Sequence, residues 1–84
     1  MKEYVPEKRL FDQIENNFTY HSPFGDQPQR YVKIRDEAKA LAITILRHTP
    51  PSKEQSLALT NLEQTIFWAN AAIARNEKDD VRKE

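Results

Sequence analysis

The helix breakers constrain this chain more than any other residue type. Prolines stand at positions 6, 23, 28, 50 and 51, and the single glycine is Gly25. Residues 28–48 and 52–76 therefore run without an internal breaker, and two helices are expected there. Pro28 suits an opening turn, where its missing N–H has no intrahelical partner to lose, and Asp26 stands where an N-cap belongs. The string "TPPS" at 49–52 stops the first helix, because residues that precede proline avoid the α region. The second opens on "SKEQ", in which Ser52 and Gln55 have the spacing of a capping box. Two long helices joined by one short break make a helical hairpin. A weaker helix is expected over residues 6–15, with Leu10, Phe11 and Ile14 on one side, and "NNFTYHSPFGDQP" reads as a loop. The expected class is all-α, a short N-terminal helix plus a long antiparallel hairpin. The 84 residues make a single domain: a variable N-terminal helix at 1–16, the hairpin at 17–76 and a polar tail at 77–84 that frays.

Periodicity assigns a seam to each long helix. Tyr31, Ile34, Ala38, Leu41 and Ile45 alternate spacings of three and four, as do Leu59, Leu62, Ile66, Ala69 and Ile73. Those two stripes close the hairpin. Leu57, Phe67, Trp68, Ala71, Ala72 and Ala74 fall outside the second stripe, and Ala40, Ile43 and Leu46 outside the first, so a lone hairpin leaves a large apolar surface wet. Self-association through the second long helix covers it, since the alanines allow close approach. A monomeric three-helix bundle with Trp68 in its core is the alternative.

Composition narrows the function classes. Lys and Arg balance Asp and Glu at 13 each, so no overall field favours polymeric nucleic acid. With no cysteine, disulfides and thiolate metal sites are excluded, and an intracellular address is the default. "MKEYVPEKRL" lacks the apolar run of a signal peptide, and no stretch has the length and apolarity of a membrane span, so a soluble chain is expected. His21 and His48 are too isolated for a metal site, one glycine cannot build a phosphate-cradling loop, and none of the serines sits in a nucleophile elbow. The expectation is a protein without catalysis, cofactor or metal.

Two features carry binding potential. "FTYHSPF" concentrates Phe18, Tyr20, His21 and Phe24 next to "RYVKIRDEAK", which offers Arg30, Lys33, Arg35 and Lys39. A ring stacks on a nucleobase for about 1–3 kcal/mol, and guanidinium or ammonium groups take phosphate charge. The same residues also suit a structural role, the aromatics stapling the loop to the helices and the cations pairing with Asp36 and Glu37. Arg75 is equally open to two readings, because a cation at a helix C-terminus complements the dipole.

The strings "FTYHSP", "IRDEAKALA" and "PPSKEQSLALTNLEQTIFWANAAIAR" resemble the small phage anti-CBASS proteins of the second type, which share a hairpin domain with the Tad anti-Thoeris sponges. The similarity covers residues 17–76. It implies a sponge that sequesters the cyclic oligonucleotide messengers of bacterial immunity without cleaving them, in the cytoplasm of the infected host. It also implies a homohexamer, a trimer of dimers, with cyclic dinucleotide pockets between protomers and separate pockets for cyclic trinucleotides. Carried onto this chain, the resemblance makes Tyr20 the base-stacking ring, with His21 hydrogen-bonding nearby and Arg35 on phosphate, helped by Lys33 or Lys39. It makes Arg75 a candidate for the trinucleotide pocket. Asn70 and Trp68 are expected to be architectural, the amide tying helices together. Two other classes remain open, a helical assembly module that binds protein through the alanine face and Trp68, and a small phosphohydrolase with His21 as base.

Overall fold

The first helix begins beyond Pro6. In the computed structural model, which describes residues 1–78, α1 runs over Lys8–Asn17, two residues past the expected start and two past the expected end. Glu7 stays extended, at φ −70° and ψ 145°, and its carbonyl receives the first helical N–H groups, from Leu10 and Phe11. At the other end nothing breaks the chain before Pro23, and Phe18 still donates its N–H to the Ile14 carbonyl at 2.9 Å. Residues 79–84 of the expected polar tail lie outside the described residues.

Helix α2 spans Gln27–His48 and α3 spans Lys53–Asn76. Asp26 occupies the N-cap position of α2 without a side-chain cap bond; its carboxylate turns one helical turn forward to Arg30, at 3.1 Å. Thr49 is extended, at φ −132° and ψ 149°, as a residue before proline must be, and that ends α2. On α3 the Ser52 hydroxyl accepts the Gln55 N–H at 3.1 Å, which is half of a capping box. The Gln55 amide does not return to Ser52. It donates to both the carbonyl and the hydroxyl of Thr49, each at 3.0 Å, and so ties α3 back across the turn.

The hairpin seam is half-buried at Tyr31, Ile34, Ala38, Ala42 and Ile45 against Leu59, Leu62, Ile66, Ala69 and Ile73. One expected seam position is wrong. Leu41 is 49% exposed and Ala42 takes its place, the two small side chains at 38 and 42 letting α3 approach closely. Among the described residues no apolar side chain is fully buried, and Gln27, at 2% exposure, is the sole buried residue. The overall extents of 49 × 45 × 14 Å explain this: the smallest is little more than one helix diameter. A stable domain needs a second layer to cover its apolar faces. Trp68 and Phe67 are each 67% exposed, which excludes the bundle with Trp68 at its centre. No helix of the described residues is long and apolar enough to cross a membrane.

Candidate functional site

The segment between α1 and α2 carries Tyr20 and His21, and it is pinned on both sides by polar contacts that span most of the chain. On the α1 side, the Asn16 amide donates to the Arg75 carbonyl at 3.1 Å, while the Asn16 carbonyl lies 2.8 Å from His21 Nε2. On the α2 side, the Phe24 N–H donates to Gln27 Oε1 at 3.2 Å, and Gln27 Nε2 donates to Glu77 Oε1 at 3.1 Å. Gly25 supplies the left-handed residue of the intervening turn, at φ +59°, where a Cβ would be strained.

Glu77 is the hub of the second anchor. Arg30 grips its carboxylate with both terminal nitrogens, at 2.7 and 2.6 Å. The two partners that hold its charged form, Arg30 first and Gln27 second, lower its pKa from 4.5 to about 2. The Arg30 guanidinium is driven further up, chiefly by Glu77. Reading Glu77 as the first residue of a fraying tail therefore misplaces it: this residue fastens the end of α3 to the start of α2.

These anchors frame a cleft of about 490 Å³ whose lining includes Tyr20, His21, Arg35, Asn70 and Arg75. Tyr20 is 82% exposed, so its ring is uncovered and available for stacking. Of the four cations in "RYVKIRDEAK", only Arg35 lines this cleft, and Arg30 is taken up by Glu77. Lys33 instead forms an ion pair with Glu37 at 2.9 Å on the solvated face, and that pair raises its pKa. Lys39 lines a different, more apolar groove of about 680 Å³ between α2 and α3, where Arg35, Glu63, Phe67 and Asn70 also lie. Arg75, expected in a separate pocket, borders the same cleft as Tyr20, and its guanidinium carbon is 5.9 Å from the centre of the Trp68 ring.

Asn70 departs from its expected role. Its Oδ1 is buried without a hydrogen-bond partner among the described residues, so among them the amide does not tie the helices together through that oxygen. It lines both the cleft and the groove. A carbonyl left in that state costs about 1–3 kcal/mol unless a partner supplies the missing bond. Asn16, Gln27 and Glu77 were not anticipated from the sequence. Each is a common polar residue in a segment of loop-like or tail-like composition, and no local pattern marks it.

The family model described as Acb2/Tad1, hairpin domain, matches residues 12–74. The chain belongs to the Acb2/Tad1 hairpin-domain family. This is the anti-CBASS sponge family, whose members bind cyclic oligonucleotides rather than catalyse a reaction. The Acb2/Tad1 span contains Tyr20, His21, Lys33, Arg35 and Lys39 and ends one residue before Arg75. It also reaches into α1, and so takes in Asn16. No curated protein and no solved structure matches the chain.

Proposed function

We propose that this protein antagonises CBASS-type immunity by sequestering cyclic dinucleotide messengers, uncleaved, in the cytoplasm of the infected host, with cyclic trinucleotides as further ligands at Arg75. The observation that carries the reading is the single cleft shared by Tyr20, His21, Arg35 and Arg75: an open aromatic face, a hydrogen-bonding ring and two guanidinium groups. A base stacks on the tyrosine for about 1–3 kcal/mol, and a guanidinium matches a phosphodiester through two parallel hydrogen bonds. Lys33 and Lys39 stand further off and act on the ligand only through their charge.

One copy presents half a pocket. A cyclic dinucleotide has two phosphates and approximate two-fold symmetry, so a two-fold interface between copies offers the same ring and the same cation to each half of the ligand. The flat hairpin, without a buried apolar residue, supports such assembly, and a homohexamer built as a trimer of dimers is the form proposed. A sponge working at low micromolar protein needs nanomolar affinity, about −12 kcal/mol, which two stacked bases and two neutralised phosphates in a closed pocket supply.

Incubation with cyclic GMP–AMP, heat denaturation and assay of the supernatant test the function directly. Intact ligand recovered from the denatured protein supports sequestration; degraded ligand would show an enzyme. Ligand that is never depleted would favour the second reading, a protein-binding module that uses exposed Phe67 and Trp68. Tyr20→Ala should weaken calorimetric affinity at least about tenfold, in line with the loss of one stacked base, and leave the assembly intact in the ultracentrifuge. Unchanged affinity would remove Tyr20 from the site.

A further inference from the structure

We propose that Asn16 and Gln27 are positioning residues that hold the Tyr20 segment in its ligand-receiving form before any ligand arrives. This rests on the sequestration reading for its ligand and on geometry for everything else.

The two residues bracket Tyr20 in the chain and fix its segment by different means. Asn16 acts twice. Its side-chain amide donates to the Arg75 carbonyl on α3, 59 positions away, and its own carbonyl faces His21 Nε2 at 2.8 Å. One residue thus sets the distance between His21, from the loop, and Arg75, from the end of α3, the two groups that flank the cleft from separate elements. Gln27 does the same on the other side. Its Oε1 takes the Phe24 N–H and its Nε2 holds Glu77, 50 positions away, whose carboxylate Arg30 also grips. At 2% exposure this side chain cannot exchange those partners for water.

The Asn16 contact also decides the chemistry that His21 offers. A carbonyl oxygen only accepts, so the hydrogen must sit on Nε2, and in the neutral ring Nδ1 is left as the acceptor. The histidine is thereby presented in one tautomer, with the nitrogen not used by Asn16 free for a ligand donor. Neither Asn16 nor Gln27 need touch the ligand for this to matter. A segment already ordered loses less conformational freedom on binding, and affinity rises accordingly.

Calorimetry with cyclic GMP–AMP tests the claim, each variant being checked for helicity by circular dichroism and for assembly in the ultracentrifuge. Asn16→Ala and Gln27→Met should each weaken binding about tenfold, the usual scale of a lost anchor, with assembly retained. An affinity of Asn16→Ala or of Gln27→Met within about twofold of the natural protein overturns the proposal for that residue. If Asn16→Ala fails to assemble, Asn16→Ser takes its place, and if Gln27→Met fails, Gln27→Glu, which keeps the acceptor for the Phe24 N–H, each judged at the same threshold. If the natural protein takes up no cyclic GMP–AMP, the functional reading falls, and nitrogen NMR of the histidines judges the anchor instead. A single Nε2–H tautomer at His21, turning into a mixture in Asn16→Ala, sustains it; a mixture already present in the natural protein refutes it.

Discussion

The two ends of the hairpin are closed by opposite strategies. At the turn, Thr49, Ser52 and Gln55 hydrogen-bond across separations of three to six residues, and every partner lies in or beside "TPPS". At the open end, Arg30 and Gln27 reach Glu77 over 47 and 50 residues, and Asn16 reaches Arg75 over 59. The turn is a local device that any isolated hairpin would carry. The open end exists only once the fold is complete, and the candidate ligand cleft is built against it. Placing the site there makes its geometry depend on the tertiary structure as a whole.

The largest effect expected from breaking this contrast comes from Gln27. Gln27→Met keeps the approximate volume but removes both hydrogen bonds, leaving the Phe24 N–H without its acceptor and Glu77 without its buried donor. A loss of about 2 kcal/mol is expected from chemical denaturation, since unsatisfied buried groups cost about 1–3 kcal/mol each and some regain water on relaxation. A loss under about 0.5 kcal/mol would mean that the open end is not fastened through this residue.

The turn should yield about half as much. Ser52→Ala deletes the one side-chain cap on α3, a change that costs about 1 kcal/mol in most proteins. The informative comparison is with ligand binding. Ser52→Ala lies at the far end of the hairpin from Tyr20, so affinity for cyclic GMP–AMP should hold once the protein is folded, whereas Gln27→Met should lose stability and affinity together. Parallel losses in the two variants would erase the distinction between the ends.

This difference between the ends is also the difference between what the sequence discloses and what it withholds. The proline positions and the Ser52–Gln55 spacing mark the hairpin because their physics acts within one turn of chain. The seam is legible to within one residue: Leu41 and Ala42 both satisfy a spacing near 3.6, and only the closeness of two backbones selects the alanine. Tyr20, His21 and Arg35 are legible as aromatics beside cations, and the structure adds that Lys33 and Lys39 face elsewhere. Asn16, Gln27 and Glu77 carry no local mark, because their roles arise from partners dozens of positions away. Asn70 is a further step removed. Its buried oxygen has no partner among the described residues, so no pairing within the hairpin reveals its role.

A smaller effect, and one with a defined pH window, belongs to the Arg30–Glu77 pair. Glu77 titrates at about 2 in the fold against 4.5 ordinarily, so the pair contributes stability above pH about 4.5 and loses it progressively as pH falls toward 2. Arg30 stays charged throughout. More than a third of each side chain is exposed, so solvent screens the pair and salt weakens it further. Glu77→Gln should therefore be less stable than the natural protein at pH 6, with the gap closing between pH about 4.5 and 2. A gap of constant size across that window would show that the carboxylate charge contributes nothing.

The smallest effect is expected at Lys33, and it tests the cleft by exclusion. Its ammonium pairs with Glu37 at 2.9 Å, with 75% and 69% of the two side chains exposed, and such pairs at i and i+4 add little to a helix. Two positions away, Arg35 enters the cleft beside Tyr20. Lys33→Gln should change affinity for cyclic GMP–AMP by less than about twofold and leave the melting curve in place, while Arg35→Gln should cost about tenfold if this guanidinium takes the phosphate as proposed. If Lys33→Gln proves the more damaging of the two, the phosphate lies over the outer face of α2. Tyr20 and Arg35 would then no longer share a ligand, however close they stand in a single copy.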